Sequence, residues 1–200
     1  MLGVSFGIDA IAIWCLIDSS NTVLQQGAFD PNKQILTFLQ KKGGLEWDQE
    51  KQRWVGGRNN RFARNLESIA HGVVNDLVRL AQIHDAQLAL EDIAYVPKQG
   101  RDQAQNLLFT AWNYGQMRRF GEYKAPLAHL DVPVFVSDYK TKFTCPLCGA
   151  CRKAGQTQAN ATTWRENGTL HCRSCQQATS ITPDMRAFRV AFEGMVFRRR

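Results

Sequence analysis

Apolar residues near the start of the chain come in short runs that are rich in β-branched side chains. Residues 4–8, 11–17 and 22–29 form three such runs, and a Ser-Ser-Asn turn signal separates the second from the third. Runs of this length and composition predict strands, whereas residues 32–40 have the pattern of a short helix. The chain is therefore predicted to open with three sequential β-strands and a helical segment.

A longer helical pattern follows the opening strands. Apolar residues between Leu66 and Ala81 recur at intervals of three and four, which predicts a helix of about five turns. Before it, residues 43–60 carry Trp47 and Trp54 among basic residues, and this segment predicts a loop or a small hairpin. These aromatic side chains, with Phe62, either stack on nucleic-acid bases or hold the segment against the body of the protein.

The second half of the chain alternates strand and helix patterns. Residues 87–90 predict a strand that ends at Glu91, and residues 132–136 predict a fifth strand. A second helix is predicted between them, and a last helix begins at residues 182–184. The predicted inner faces are Leu107, Leu108, Ala111, Trp112 and Gly115 in the second helix, and Met185, Phe188, Phe192 and Met195 in the last.

Four cysteines in the C-terminal part of the chain have the spacing of a metal site. Cys145 and Cys148 form one CxxC pair, and Cys172 and Cys175 form another. Two intervening residues let one tight turn direct both sulfurs at a single ion, so the two pairs predict a tetrahedral zinc site. Disulfide bonds are the alternative, although nothing at the N-terminus resembles a signal peptide and disulfides are rare in reducing compartments.

Four other cysteine and histidine residues have plainer interpretations. Cys151 repeats the two-residue spacing and His171 adjoins the third cysteine of the cluster, so each is either a substitute ligand or a bystander. Cys15 lies inside an apolar run and is predicted to be a reduced core residue. His71, beside the apolar face of the long helix, is predicted to be structural.

The order of the predicted elements indicates the fold class. Three strands, a helix, a strand, a helix and a strand, then an insertion and a final helix, is the order of RNase H-like α/β folds, in which helices flank a mixed sheet. The 44% apolar content suffices for one substantial core with a small appendage. We predict a core of residues 1–140, a zinc-ribbon insertion of residues 141–180, and a last helix in residues 181–200 that completes the core.

Basic residues outnumber acidic ones, and the formal net charge is +7. A basic surface of this kind suits a nucleic-acid partner, and a merely solvated surface is the alternative. No apolar run is long enough to cross a bilayer, which predicts a soluble, cytoplasmic protein. The candidate DNA contacts are Arg58, Arg61 and Arg64 at the start of the long helix, and Arg118 and Arg119 at the end of the second helix.

Three carboxylates are predicted at the ends of elements in this fold. Asp9 ends the first strand, Glu91 ends the fourth, and Asp184 lies in the first turn of the last helix. Nucleases of this fold hold two divalent ions roughly 4 Å apart, and Mg²⁺ prefers such oxygen ligands. Taken singly, each acid has a plainer interpretation. Asp9 fits a strand end, Glu91 fits a solvated turn, and Asp184 fits a favourable interaction with the helix dipole.

At these acids the chain resembles a known family. Residues 6–9 (FGID), 90–93 (LEDI) and 184–187 (DMRA) are similar to the three split RuvC motifs of the TnpB transposon nucleases and the type V CRISPR effector nucleases. Residues 123–125 (YKA) and 141–149 (TKFTCPLCG) resemble two further segments of that family. The resemblance covers nearly all of this chain and corresponds to the C-terminal catalytic half of such an enzyme.

The resemblance implies a prokaryotic, RNA-guided DNA endonuclease that hydrolyses phosphodiesters with two metal ions. It implies that Asp9, Glu91 and Asp184 are the catalytic triad and bind Mg²⁺ or Mn²⁺, and that the four cysteines hold Zn²⁺. Single-stranded DNA is the implied substrate at the active site, and guide RNA is the implied partner of a half that this chain lacks. Arg186, a further candidate DNA contact, stands where the family has asparagine.

Two other functions fit the same residues. One is a nucleic-acid-binding module of the same RuvC fold that has lost cleavage in a CRISPR or transposon-associated complex. The other is a zinc-ribbon adaptor for nucleic acid in which the acids are incidental. The presence of all three carboxylates in RNase H order favours the endonuclease.

Overall fold

The computed structural model describes most of the chain. The described residues are 1–7, 10–30, 45–48, 50, 53–56, 60–93, 114–145, 148–153, 155–157, 159–166, 169–180 and 182–198. Asp9, Arg58, the predicted helix at residues 32–40 and the predicted helical residues 107–112 lie outside them. No helix among these described residues has both the length and the apolar character needed to span a membrane.

Ten strands and four helices are described. In chain order they are β1 (Leu2–Phe6), β2 (Ala12–Ile17), β3 (Val23–Phe29), β4 (Leu45–Asp48), β5 (Arg53–Gly56), α1 (Asn60–Ile83), β6 (Leu88–Asp92), α2 (Tyr114–Leu127), β7 (Val134–Ser137), α3 (Asp138–Phe143), β8 (Thr163–Glu166), β9 (Thr169–Cys172), β10 (Gln177–Ser180) and α4 (Pro183–Arg198).

The central sheet has five strands in the order β3-β2-β1-β6-β7. β1 pairs antiparallel with β2, and β2 pairs antiparallel with β3. β6 lies parallel to both β1 and β7. Because parallel strands end at the same edge of a sheet, the carboxyl ends of β1, β6 and β7 lie together. The predicted mixed RNase H-like sheet flanked by helices is confirmed.

Helices cover both faces of this sheet. One set of alternating side chains, including Leu2, Val4 and Leu90, packs in the main core with α1 and α2. The opposite set on β2, including Ile13 and Cys15, packs on Ala187 and Ala191 of α4. Strands buried on both faces read as continuous apolar runs, which is why β1 and β2 were recognisable in the sequence.

The small residues at the contact between α4 and the sheet allow a close approach. A Cβ atom added to Gly3 would lie 2.5 Å from the carbonyl oxygen of Ala187 and 2.6 Å from the Cα atom of Ala191. A Cβ atom at Gly194 would lie 2.6 Å from that of Ala89 on β6. The backbone of α4 therefore lies directly against β1, and its first turns reach the edge where β1 and β6 end.

Two smaller sheets accompany the central one. β4 and β5 form the hairpin that residues 43–60 predicted as one of two possibilities, with Trp47 opposite Trp54 in the register. β8, β9 and β10 form an antiparallel sheet of three strands in the order β10-β9-β8. This second sheet belongs to the segment that carries the two CxxC pairs.

The described part of the second helix corrects two expectations. Gly115 was expected on the inner face, but it is exposed, and the buried residues of this helix include Met117, Phe120 and Gly121. Arg118 and Arg119 were expected at its end, but the helix continues to Leu127. Glycine has no side chain that fixes which face it occupies, and Gly121, two residues after Arg119, is a signal for a helix end that this helix does not follow.

Candidate functional site

Glu91 lies in β6 at the edge where the parallel strands end, on the face that α4 covers. Its side chain is fully buried. The Oγ atom of Ser5 donates to Oε2 at 2.8 Å, and the backbone N–H of Phe6 donates to the same oxygen at 3.2 Å. The Oγ1 atom of Thr141 donates to Oε1 at 2.5 Å. Three neutral donors from β1 and α3 therefore hold this carboxylate.

Arg186 supplies the counter-charge of Glu91. Its Nη2 atom lies 2.7 Å from Oε2 and 2.9 Å from Oε1, and 3.4 Å from the carbonyl oxygen of Phe6. The Arg186 side chain is 20% exposed, so this ion pair is largely shielded from water. Removing one partner of such a pair typically costs about 3–5 kcal/mol, because the other charge stays buried.

The donors around Glu91 leave its carboxylate without free acceptor positions. A carboxylate offers about four lone-pair sites, and the contacts from Ser5, Phe6, Thr141 and Arg186 occupy both oxygens. A Mg²⁺ ion bound here would have to share the carboxylate with a guanidinium. In the arrangement described, Glu91 therefore does not fit a divalent cation.

Asp184 lies in the first turn of α4 and is exposed. The backbone N–H of Met185 donates to Oγ1 of Thr182 at 3.3 Å, so Thr182 caps this helix. An aspartate at this position also interacts favourably with the helix dipole. Because Asp9 is outside the described residues, the three-carboxylate site of Asp9, Glu91 and Asp184 stays a prediction.

The four cysteines of the CxxC pairs form one cluster. The Sγ atoms of Cys145 and Cys175 are 3.6 Å apart, those of Cys148 and Cys172 are also 3.6 Å apart, and all four lie within 4.8 Å of one another. Sulfurs at about 2.3 Å from a tetrahedral zinc ion have this spacing, whereas a disulfide needs about 2.05 Å. The cluster therefore fits Zn²⁺, as the spacing predicts, and not two disulfides.

Local backbone geometry brings the first CxxC pair into a tight turn. The N–H of Gly149 donates to the carbonyl oxygen of Cys145 at 3.0 Å, and that of Cys145 donates to Ala150 at 2.7 Å. Gly149 has a φ of +73°, which glycine adopts without a steric penalty. The turn therefore directs both sulfurs of the pair to the same side.

Electrostatics in the cluster favour a thiolate at Cys172. Burial alone would raise the pKa of this thiol, but hydrogen bonds from the backbone of Cys175 and Ser174 and from Cys148 outweigh it and lower the pKa to about 7. A thiolate is the form that binds a metal ion. Arg189 of α4 donates to the carbonyl oxygen of Cys145, which places a cation beside the cluster.

Cys151 and His171 lie outside the cluster of four sulfurs. The thiol of Cys151 donates to the carbonyl oxygen of Arg152 at 3.5 Å. The ring of His171 stacks on Trp164 at 5.0 Å, and the guanidinium of Arg173 lies 5.2 Å from the centre of the Trp164 ring. A groove of about 440 Å³ is lined by Trp164, His171 and Arg173, and also by Gln176. The sequence offered no specific signal for this groove.

The arginines predicted to contact DNA differ in their exposure and in their ion pairs. Arg64 and Arg119 are exposed. Arg118 pairs with Asp92 at 2.9 Å and with Glu122 at 3.2 Å. The side chain of Arg61 and the whole of Arg58 are outside the described residues. Among the described candidates, only Arg64 and Arg119 therefore offer an exposed charge that is not held in an ion pair shown by the structure.

Sequence reasoning missed the partners of Glu91. Ser5 shares a face of β1 with Gly3, so strand alternation places it under α4, but nothing in the sequence pairs it with a residue 86 positions away. Thr141 lies in the segment of residues 141–149 that resembles the family, and nothing in that segment points to Glu91. The one available signal was the arginine at residue 186, where the resemblance implies asparagine. It adds a cation to a site that is predicted to be acidic.

Comparisons with known proteins bear on the fold and on the family resemblance. No family model matches the chain. A TnpB-like protein of Methanocaldococcus jannaschii is 27% identical over 93 residues, which are 46% of this chain and 33% of that protein. The cryo-EM structure of a Cas12f1–sgRNA–target DNA complex contains a chain that matches 97% of this one with a TM-score of 0.53 and 12% identity.

These relatives are longer than the part that matches. This chain covers 49% of the Cas12f1 chain and a third of the archaeal relative, so it corresponds to a portion of each. At 12% identity the structural match concerns the fold alone. The sequence match and the fold together support the resemblance of this chain to the TnpB and type V effector proteins with a RuvC domain.

Proposed function

We propose that this chain is the RuvC-type DNA endonuclease domain of an RNA-guided effector. The observation that carries the proposal is the sheet order β3-β2-β1-β6-β7 with α4 crossing it, because this topology brings the end of β1, Glu91 and the first turns of α4 to one edge. Acids on these elements are what hydrolysis of a phosphodiester requires in this fold. The proposed catalytic residues are Asp9, Glu91 and Asp184, and metal binding by Glu91 would require Arg186 to move away from its carboxylate.

The proposed partners are DNA and a guide RNA. The structural relative was solved as a complex with sgRNA and target DNA, and this chain corresponds to about half of the matched Cas12f1 chain. We infer that guide recognition lies in a part of the effector beyond this domain, since sequence selection in such systems is delegated to base pairing. The exposed Arg64 and Arg119 are proposed to contact phosphates, which gives affinity without sequence preference.

The proposed role of the zinc ion is structural. Four sulfur ligands complete a tetrahedral site and leave no position for a reacting water molecule. The groove at Trp164, His171 and Arg173 offers an aromatic and cationic surface of the kind that stacks on bases. The ribbon is therefore proposed to bind the DNA strand and not to cut it.

A nuclease assay tests the proposal. The chain, with and without a guide-binding half, is incubated with labelled single-stranded DNA and Mg²⁺, Mn²⁺ or chelator. Asp184→Asn is expected to lower cleavage by at least about a hundredfold if this acid acts in the chemical step. The matched control is Asp76→Asn, an exposed acid on α1, which should cleave like the unmodified chain. Equal cleavage by both variants would remove Asp184 from the site.

The ion pair of Glu91 and Arg186 favours a second candidate. A RuvC-fold module that binds nucleic acid without cutting it can keep Glu91 as a structural residue, because Arg186 supplies the charge that a metal ion would otherwise supply. Salt-sensitive DNA binding with no cleavage, even in the presence of the guide-binding half, would establish this candidate over the first.

A further inference from the structure

The edge of the sheet at Glu91 already holds a cation that belongs to the protein. The Nη2 atom of Arg186 contacts both carboxylate oxygens, at 2.7 and 2.9 Å, and the carboxylate has no exposed surface. Two unit charges at such a distance interact strongly in a dry site. A guanidinium in this position satisfies the carboxylate both electrostatically and by hydrogen bonding.

A second arginine reinforces the positive charge. Arg165 of β8 is half-buried, and burial together with the charge of Arg186 lowers the pKa of its guanidinium. The groups facing Glu91 from the surrounding elements are thus Ser5, Thr141 and Arg186, with Arg165 close to the last. A divalent ion entering this edge would meet one bound guanidinium and a second nearby.

We propose that Arg186 is the built-in counter-ion of Glu91 and excludes divalent cations from it, so that removing this one side chain opens a metal site at Glu91. The proposal deepens the proposed function, because it concerns the same edge and rests on the same fold. It differs from the two-metal arrangement that the sequence predicts. Glu91 keeps its donors from Ser5, Phe6 and Thr141 when Arg186 is removed, so the carboxylate stays oriented.

The test is Mn²⁺ binding by the zinc-loaded chain, followed by electron paramagnetic resonance of the free ion. The unmodified chain and Glu91→Gln are expected to bind the same number of Mn²⁺ ions. Arg186→Ala is expected to gain one ion with an affinity at least about tenfold above any binding by the unmodified chain at this edge. The double variant Arg186→Ala with Glu91→Gln should lose it. Arg79→Gln is the matched control, since it removes an exposed arginine of α1, and it should bind the same number of Mn²⁺ ions as the unmodified chain.

The result that overturns the proposal is a Mn²⁺ ion on the unmodified chain that Glu91→Gln removes. A folded Arg186→Ala that gains no ion overturns it equally. Circular dichroism checks each fold, and Arg186→Gln replaces the alanine variant if that one unfolds. If both Arg186 variants unfold, the comparison of the unmodified chain with Glu91→Gln decides alone. If Glu91→Gln itself unfolds, the double variant Glu91→Gln with Arg186→Gln, which removes both charges, replaces it. Because the readout is metal binding, the proposal and the proposed nuclease activity fail separately.

Discussion

At the scale of single residues, burial of ionisable groups sets several properties of this chain. Cys15 is fully buried under α4, and desolvation, with a smaller contribution from the charge of Asp184, raises the pKa of its thiol from 9.0 to about 11. Glu91 is also buried, but its carboxylate is paired with the guanidinium of Arg186. A neutral thiol needs no partner, whereas a carboxylate at the same depth does.

The thiol of Cys15 makes stability fall at alkaline pH. Its pKa is higher in the folded state, so stability is full below pH 9 and is lost as the unfolded thiol ionises between pH 9 and about 11. This residue alone should remove about 2–3 kcal/mol over that window. Denaturant unfolding at several pH values gives the free energy of unfolding of the unmodified chain and of Cys15→Ala. The difference between the two is the contribution of Cys15, because the other groups titrate in both proteins. A constant difference across the window would contradict the prediction.

At the scale of elements, the succession of the central strands along the chain, α1, α4 and the paired cysteines followed from local patterns. Continuous apolar runs predicted the buried strands β1 and β2, and periodic apolar residues predicted α1. The end of α2 was wrong because periodicity does not mark ends. The pairing of Glu91 with Arg186 joins residues 95 positions apart, and no local pattern contains such a tertiary contact.

The docking of α4 on the sheet depends on the absence of a side chain at Gly3. A methyl group there would overlap the backbone of Ala187 and Ala191, which cannot yield without moving the helix. Gly3→Ala is therefore expected to cost at least about 3 kcal/mol, which is the upper range for overpacking. Denaturant unfolding measures the loss, and the helix displacement should also loosen the contact of Arg186 with Glu91.

Gly72 is the matched control for Gly3. It lies within α1, and a Cβ atom added there meets no other atom within 4 Å. Gly72→Ala is expected to stabilise the protein by about 0.5–1 kcal/mol, because alanine is the better helix former. Equal effects of the two substitutions would show that the close approach of α4 to β1 does not govern stability.

At the scale of the whole molecule, contacts of Arg189 and Thr141 join the ribbon to the core. Arg189 of α4 donates to the carbonyl oxygen of Cys145, and Thr141, four residues before that cysteine, donates to Glu91. The ribbon has its own small core of Cys145, Leu170 and Cys172. Such a core is too small to be stable alone, so the ribbon should depend on its metal ion, while the main core with its three layers should not.

Loss of the proposed zinc ion should therefore unfold the ribbon and spare the sheet. Cys172→Ser removes one ligand, and amide hydrogen exchange should then lose protection in β8, β9 and β10 while β1 and β6 keep theirs. Cys151→Ser is the matched control, because its sulfur lies outside the cluster, and it should keep one zinc ion and full protection. If Cys172→Ser unfolded the central sheet together with the ribbon, the contacts of Arg189 and Thr141 would make the two parts a single cooperative unit.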